Sequence, residues 1–177
     1  VFGMFDPDPR VSGEGIKKLR DNGVKVFGPV MRAECEYFNR GFVSVRSKSR
    51  PFITLKQARS KSGEVSNADG SRLKITSEEQ DVWSHTHLRW PADGIVSGVG
   101  TIISDDPSLN TRFVHKSALQ REVPDPYRII LDPHGKIPLG SKVLADDHRM
   151  RTIVVVSEKV QKEVQTQIQA TGAMLEG

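Results

Sequence analysis

The segment from Arg50 to Arg112 constrains the fold of this chain more than any other. It begins with an apolar run closed by a lysine, Phe52–Lys56, which follows a proline and is typical of a strand. A helical pattern comes next, and a second strand-like run, Gly94–Val96, follows it. The segment therefore predicts a strand–helix–strand frame, the unit from which α/β proteins are built.

The helix of this frame has start and stop signals in the sequence. Thr76 and Glu79 stand three residues apart, which is the spacing of a capping box. The helical pattern continues to about Arg89, and Pro91 lies just beyond it, where a helix cannot continue. The sequence therefore predicts a helix that begins near Thr76 and ends near Arg89.

Strand-like and helix-like segments alternate along the rest of the chain. The other strand-like segments are Val1–Phe5, Val24–Phe27, Arg128–Leu131, Thr152–Val156 and a short run that begins at Ala173. The other helix-like segments are Glu14–Arg20, Met31–Phe42 and Glu158–Thr171, and the polar segment Phe113–Pro126 is predicted to be a long loop. This alternation predicts an α/β fold with a largely parallel sheet.

The charge balance favours an anionic ligand. The formal net charge is +4, with an isoelectric point of about 9.3. The basic residues are scattered, and no pattern of interleaved aromatic and basic residues indicates nucleic-acid binding. A nucleotide-sized anion suits this charge, and the alternative is a solvated basic surface without a ligand.

The sequence also narrows the cellular setting that we expect. No apolar run approaches the roughly 20 residues that a membrane helix requires. A single cysteine, Cys35, forms neither an internal disulfide nor a cysteine-based zinc site. We therefore expect a cytoplasmic protein that does not bind membranes.

Three basic residues are candidates for contacts with a substrate. Lys56 closes its apolar run, so it is placed to give a hydrogen bond or a proton to a substrate oxygen, and we take it as the candidate catalytic residue. Arg89 and Arg112 are candidates for binding phosphate, because arginine makes planar, charge-assisted contacts. The alternatives are a solvated lysine and two surface arginines that the fold does not bring together.

The segment that follows the Gly94–Val96 run is a candidate cofactor site. In Gly98–Thr101 the glycines allow a ligand to approach the backbone closely, although the third glycine of a dinucleotide fingerprint is absent at Ile103. The alternative is a plain turn. The run Asp105-Asp106-Pro107 is suited either to binding ribose hydroxyls or to capping a turn.

A metal site is not predicted. His85 and His87 lie two residues apart on the predicted helix, whereas a helical zinc site needs a spacing of four. The sequence also lacks the zinc-binding motif of nucleoside deaminases and the Gly-x-Ser-x-Gly motif of serine hydrolases.

The order of these signals resembles one family, the bifunctional riboflavin-biosynthesis deaminase/reductases. The segments that resemble its reductase part are Arg50–Ala58, Leu88-Arg89, Gly98–Arg112 and Tyr127–Asp132. The segments that resemble the end of its deaminase part are Asp6–Pro9, Gly13–Gly15, Asn22–Val24 and Glu34–Asn39. The resemblance implies three parts: residues 1–43 as the end of a cytidine-deaminase-like α/β domain, 44–50 as a linker, and 51–177 as part of a dihydrofolate-reductase-like domain.

The resemblance also implies an activity and a set of site residues. The family reduces 5-amino-6-(5-phosphoribosylamino)uracil with NADPH and opens its ribose to a ribityl chain. The implied substrate contacts are Lys56, Arg89, Leu109 and Arg112. The implied cofactor contacts are Ala58, Thr101, Asp105 and Pro133. Zinc is implied only for the deaminase part, whose ligands are not among these 177 residues, and a homo-oligomer is implied for the whole.

Several positions depart from the family pattern. Ser62 stands where an aspartate is usual, Arg72 where a substrate-binding serine is usual and Lys74 where a cofactor-packing tryptophan is usual, and one extra residue precedes Arg89. These changes keep two alternatives open: a non-catalytic relative with a structural or assembly role, and another nucleotide-dependent enzyme of the same fold. Because the sequence starts in one apolar run and stops in another, we also expect it to be part of a longer protein.

Overall fold

The computed structural model describes residues 1–11, 13–70, 73–113 and 125–177. Two compact units make up the chain, Val1–Lys56 and Gln57–Gly177. None of the helices in the described residues is both long enough and apolar enough to cross a membrane.

The first unit contains three helices in its described residues. They are α1 (Glu14–Asp21), α2 (Arg32–Phe38) and α3 (Arg40–Lys48). Helix α1 ends at Asn22-Gly23 as predicted, whereas the single helix expected over Met31–Phe42 is divided at Asn39. Residues 44–50, which the sequence suggests are a linker, are helical as far as Lys48.

Three strands predicted for the first unit are absent from its described residues: Val1–Phe5, Val24–Phe27 and Phe52–Lys56. An apolar run becomes a strand only where a neighbouring backbone pairs with it, and here such pairing is minimal. Phe2 makes two backbone bonds, one to Phe27 at 3.0 Å and one from Val30 at 2.9 Å. The apolar side chains of Ile53 and Leu55 are exposed.

The described part of the second unit contains a four-stranded sheet. Its strands are β1 (Gly94–Gly98), β2 (Tyr127–Leu131), β3 (Thr152–Val155) and β4 (Met174–Glu176). They lie in the order β1-β2-β3-β4, and every neighbouring pair is parallel. In the described residues of this unit the α-helices are α4 (Glu78–Ser84), α5 (Val99–Asp105), α6 (Lys142–Ala145) and α7 (Lys162–Ala170), and a 3-10 helix spans Arg149–Arg151. The α/β class with a parallel sheet is therefore confirmed.

The hydrophobic core lies against one face of this sheet. In β2 and β3 every second residue is buried, and Ile130 and Val154 are fully enclosed. Ile102 of α5 and Ile168 of α7 pack into the same cluster. Burial of these aliphatic side chains provides the driving force that holds the helices on the sheet.

Helix α4 begins one residue later than the sequence suggests. The capping box is formed by Ser77 and Gln80, because the hydroxyl of Thr76 instead donates to the carboxylate of Asp81 at 2.8 Å. The helix continues into a π-turn, His85–Arg89, in which the N–H of Trp90 donates to the carbonyl of His85 at 2.9 Å. The predicted end of this helix near Arg89 is confirmed.

Other boundaries also differ from the prediction. The predicted turn Gly98–Thr101 is the start of helix α5, and α7 begins at Lys162 rather than Glu158. Most of the predicted loop Phe113–Pro126, together with Arg72, lies outside the described residues.

Candidate active site

The carboxyl ends of β1 and β2 lie side by side in the sheet, and several candidate residues follow them. Gly98 and Leu131, the last residues of the two strands, are directly paired in the parallel register. Helix α5 follows β1, and Asp132-Pro133 follows β2. Ligands of open α/β sheets bind at the carboxyl ends of the strands, so the candidate cofactor residues in these two connections lie at a favourable edge.

Two of the candidate cofactor residues share a face of α5. Thr101 and Asp105 are four residues apart, and both are exposed. Residues at this spacing are neighbours on a helix surface. Their hydroxyl and carboxylate groups are therefore presented together beside the end of β1, and such groups suit the hydroxyls and phosphates of a nucleotide.

The connection that carries Pro133 is held rigidly. The carboxylate of Asp132, which is fully buried, accepts a hydrogen bond from the N–H of Ile137 at 2.8 Å. Gly135 has φ +65°, and a Cβ there would lie 2.8 Å from Val160. Only glycine fits this position without rearrangement. Pro133, two residues earlier, is exposed at the strand end. The remaining candidate, Ala58, is half-buried in an irregular segment of the same unit.

The glycines at the start of α5 leave space for a ligand. A Cβ on Gly98 or Gly100 would meet no atom within 4 Å, and neither residue has a positive φ. Neither backbone strain nor packing inside the described residues therefore requires glycine here. No neighbouring atom crowds the backbone at Gly98 and Gly100, and with the exposed Thr101 and Asp105 beside it the residues present suit a nucleotide cofactor.

Arg89 contacts the segment that carries Arg112. Arg89, the last residue of the π-turn, is half-buried, and its Nη1 atom donates to the carbonyl of Asn110 at 3.2 Å. Burial lowers the pKa of Arg89, the positive charge of Arg112 lowers it further, and Asp81 opposes both effects. Two like charges within Coulombic range form a site that an anion would stabilise.

The segment that carries Arg112, which we call the Asp106–Arg112 loop, is anchored along its whole length. The backbone N–H of Lys142 donates to the carboxylate of Asp106 at 2.8 Å, and Arg128 donates to the carbonyl of Ser108 at 3.2 Å. The hydroxyl of Thr111 bonds to the carboxylate of Asp125. These contacts fix the loop by bonds from several separate elements, so it is preorganised.

Leu109 lies within this loop but points into the core. It is 7% exposed, and its φ is +46°. Since its side chain is occupied by packing, we expect Leu109 to reach a substrate through its backbone.

Lys56 belongs to the first unit. It is the last residue of the first unit, it is exposed, and it belongs to an irregular segment rather than to the end of a strand. Its assignment as the catalytic residue therefore stays a prediction.

The departures from the family pattern give two further observations. The hydroxyls of Ser60 and Ser62 both donate to the carboxylate of Glu64, and the Ser60 bond makes the largest contribution to lowering the pKa of Glu64. A carboxylate is thus present two residues after Ser62. Lys74 is exposed.

Among the described residues no three His, Cys, Asp or Glu side chains are grouped to bind a metal.

Two residues of this region were not singled out from the sequence. Arg128 is buried in β2 and holds the loop at Ser108. The sequence feature that could have revealed it is a charged residue at an inward-facing position of an otherwise apolar strand. His85 accepts a hydrogen bond from the N–H of Arg112 at 3.0 Å. From the sequence, His85 was considered only as a metal ligand, and that role was rejected.

Known proteins resemble the chain over most of its length. The RibD C-terminal domain family matches residues 51–175 and leaves residues 1–50 outside the match. The riboflavin biosynthesis protein RibD of Aquifex aeolicus is 38% identical over 162 residues, which are 92% of this chain and 43% of that protein. That of Chlamydia pneumoniae is 32% identical over 158 residues, or 88% of this chain and 40% of that protein. The chain thus spans less than half the length of these relatives.

Solved structures agree with this match. Acinetobacter baumannii RibD has a TM-score of 0.79 at 27% identity, with 96% of this chain and 45% of that chain covered. A diaminohydroxyphosphoribosylaminopyrimidine deaminase/5-amino-6-(5-phosphoribosylamino)uracil reductase from Thermotoga maritima has a TM-score of 0.72 at 26% identity, with 99% and 52% covered. The fold, the matched range and the identity lead to one conclusion: the chain belongs to the RibD C-terminal domain family.

Proposed function

We propose that this chain carries part of an NADPH-dependent reductase of riboflavin biosynthesis. Its substrate would be 5-amino-6-(5-phosphoribosylamino)uracil, and its product the corresponding ribitylamino compound. The observation that carries this proposal is the hydrogen bond from Arg89 to the carbonyl of Asn110, which ties Arg89 to the anchored loop that carries Arg112, in a chain of the RibD C-terminal domain family.

The two arginines are suited to the phosphate of the substrate. Each guanidinium offers a planar set of donors, and phosphate accepts such bonds with high charge complementarity. The unfavourable proximity of the two positive charges is relieved when a dianion lies between them. Lys56 would donate to a substrate oxygen, and Leu109 would contact the substrate through its backbone.

The cofactor would bind beside the end of β1. NADPH supplies the hydride when it is bound, while the protein provides binding, orientation and electrostatics. Thr101 and Asp105 would contact the cofactor from the exposed face of α5, Pro133 from the neighbouring strand end, and Ala58 from the irregular segment. The open space at Gly98 and Gly100 supports a close approach of the cofactor.

The resemblance also carries a proposal for the organisation of the chain. We take residues 1–43 as the end of a deaminase-like domain, 44–50 as the linker and 51–177 as part of the reductase domain. Zinc would then belong to the deaminase part, and the protein would work in the cytoplasm as a homo-oligomer.

A non-catalytic role in structure or assembly is the second candidate. The observation in its favour is the exposed Lys74, which stands where the family has a tryptophan that packs on the cofactor. An amine cannot replace the stacking surface of an indole ring, so binding of the cofactor would be weakened at this position.

Titration with NADPH separates the two candidates. Saturable binding of NADPH by the purified protein, together with separate saturable binding of ribose 5-phosphate, is expected for the reductase. The same titration with NADH reports which of the two cofactors is preferred. A protein that binds neither cofactor would contradict the reductase proposal and leave the non-catalytic role.

A further inference from the structure

His85 is a buried side chain to which the proposed function gives no role. It is 4% exposed and is the first residue of the π-turn, four residues before Arg89. Residues at this spacing lie on the same side of a helical turn. Both side chains reach the Asp106–Arg112 loop, Arg89 at the carbonyl of Asn110 and His85 at the N–H of Arg112.

The contact between His85 and Arg112 has a defined direction. The Nδ1 atom of His85 accepts the hydrogen bond from the backbone N–H of Arg112 at 3.0 Å. An imidazole nitrogen accepts a hydrogen bond only when it carries no proton, so this bond requires an unprotonated Nδ1. Leucine is similar in size but has no acceptor for this hydrogen bond. The side-chain oxygen of asparagine is an acceptor at a distance from the backbone comparable to that of Nδ1.

A second contact holds the next residue. The rings of His85 and Phe113 meet edge to face, with 5.3 Å between their centroids. His85 therefore contacts the backbone N–H of Arg112 and the side chain of the residue that follows it. Together these contacts restrict the direction in which the Arg112 side chain leaves the loop.

We propose that His85 is a positioning residue that aims the guanidinium of Arg112 at the phosphate of the substrate. This inference rests on the proposed function, because it assigns phosphate binding to Arg112. The π-turn then serves both arginines: it carries Arg89 itself, and through His85 it fixes the backbone of Arg112. Preorganisation of this kind improves binding by removing the cost of ordering the loop.

Three variants test the inference. His85→Leu removes the acceptor, and His85→Asn keeps one. His87→Leu is the matched control, because His87 is exposed and stacks on Trp83 with 5.1 Å between the ring centroids. The measurements are amide hydrogen exchange at Arg112 by NMR, and the affinities for ribose 5-phosphate and for NADPH.

The expected pattern is selective. His85→Leu should speed exchange at Arg112 and weaken ribose 5-phosphate binding by roughly three- to tenfold, the factor that corresponds to one net hydrogen bond. Binding of NADPH should stay unchanged in this variant. His85→Asn should restore most of the slow exchange and most of the affinity, and His87→Leu should resemble the unaltered protein.

Several results would overturn the inference. Unchanged exchange and affinity in a folded His85→Leu protein would do so, and so would an equal loss of both ligands, which indicates general destabilisation. If His85→Leu does not fold, a 15N–15N coupling across the Arg112–His85 hydrogen bond in the unaltered protein is the test, and its absence rejects the contact. Failure of the proposed function looks different: the unaltered protein would bind no ribose 5-phosphate, while exchange at Arg112 would still respond to His85→Leu.

Discussion

The guanidinium of Arg128 donates two hydrogen bonds to the carboxylate of Asp146, at 2.6 and 2.9 Å. The Arg128 side chain is 3% exposed, and its remaining donors bond to the hydroxyl of Thr152 and to the carbonyls of Val143 and Ser108. The pair thus joins β2 and β3 to the residues around α6 and to the Asp106–Arg112 loop. Because every donor of a buried charge is used, the pair can be stable in the interior.

Removing one partner of this pair should destabilise the protein strongly. Asp146→Asn leaves the charge of Arg128 buried without its counter-charge, and such changes cost about 3–5 kcal/mol. The measurement is the free energy of unfolding in urea. Asp147→Asn, an exposed neighbour, is the matched control and should change that free energy by less than about 0.5 kcal/mol. Equal effects of the two substitutions would show that the pair contributes little.

The same pair predicts a dependence of stability on pH. Burial raises the pKa of Asp146, but the hydrogen bond and the charge of Arg128 outweigh it, so the pKa lies below its ordinary value of 3.8. The contribution of a carboxylate whose folded pKa is depressed is present above the unfolded pKa and is lost as the pH falls through the folded pKa. The difference in the free energy of unfolding between the unaltered protein and Asp146→Asn should therefore be constant near neutral pH and shrink below about pH 4. A difference that stays constant down to pH 2 would contradict this assignment.

Arg112→Ala should separate substrate binding from cofactor binding. Loss of a charge-assisted contact with phosphate costs about 1.5–3 kcal/mol, so affinity for ribose 5-phosphate should fall roughly 10- to 100-fold. Affinity for NADPH should change much less, and both can be measured by calorimetry. Arg20→Ala, at an exposed position of α1, removes the same charge elsewhere and should affect neither. Equal loss of both ligands in Arg112→Ala would argue against its assignment to the substrate phosphate.

All four strands of the sheet were predicted, and for the central strands β2 and β3 the reason is that sequence and environment agree. Runs such as Thr152–Val155 are β-branched, and a parallel sheet buries them between neighbours on both sides. Phe52–Lys56 has a similar apolar character but does not form a strand, because pairing depends on a neighbouring backbone that local sequence does not specify. Helix α5 was missed because Gly98, just before it, and Gly100, within it, suggested a turn.

The site was only partly predictable for a related reason. Arg89 and Arg112 could be named as candidates because arginine is the residue type that suits phosphate. Their proximity depends on the Asp106–Arg112 loop, whose anchors come from distant parts of the chain. The role of His85 depends on a π-turn, and a π-turn accommodates one residue more than a regular α-helix. The extra residue that the sequence has before Arg89 was the available signal, and it indicated an irregularity without its geometry.

Gly100→Ala should affect the cofactor without harming the fold. Gly100 is the second residue of α5, and an added Cβ would meet no atom within 4 Å. Alanine favours a helix over glycine, so stability should stay equal or rise by up to about 1 kcal/mol. If the cofactor approaches this backbone closely, its affinity should fall while the melting temperature does not.

The matched control for this substitution is Gly15→Ala. Gly15 is likewise the second residue of its helix, α1, and also has open space around it. Both substitutions should therefore raise the melting temperature similarly, and only Gly100→Ala should weaken NADPH binding. Undiminished NADPH affinity in Gly100→Ala would show that the cofactor does not bind against the start of α5, because the added methyl group occupies the space through which the cofactor would have to approach.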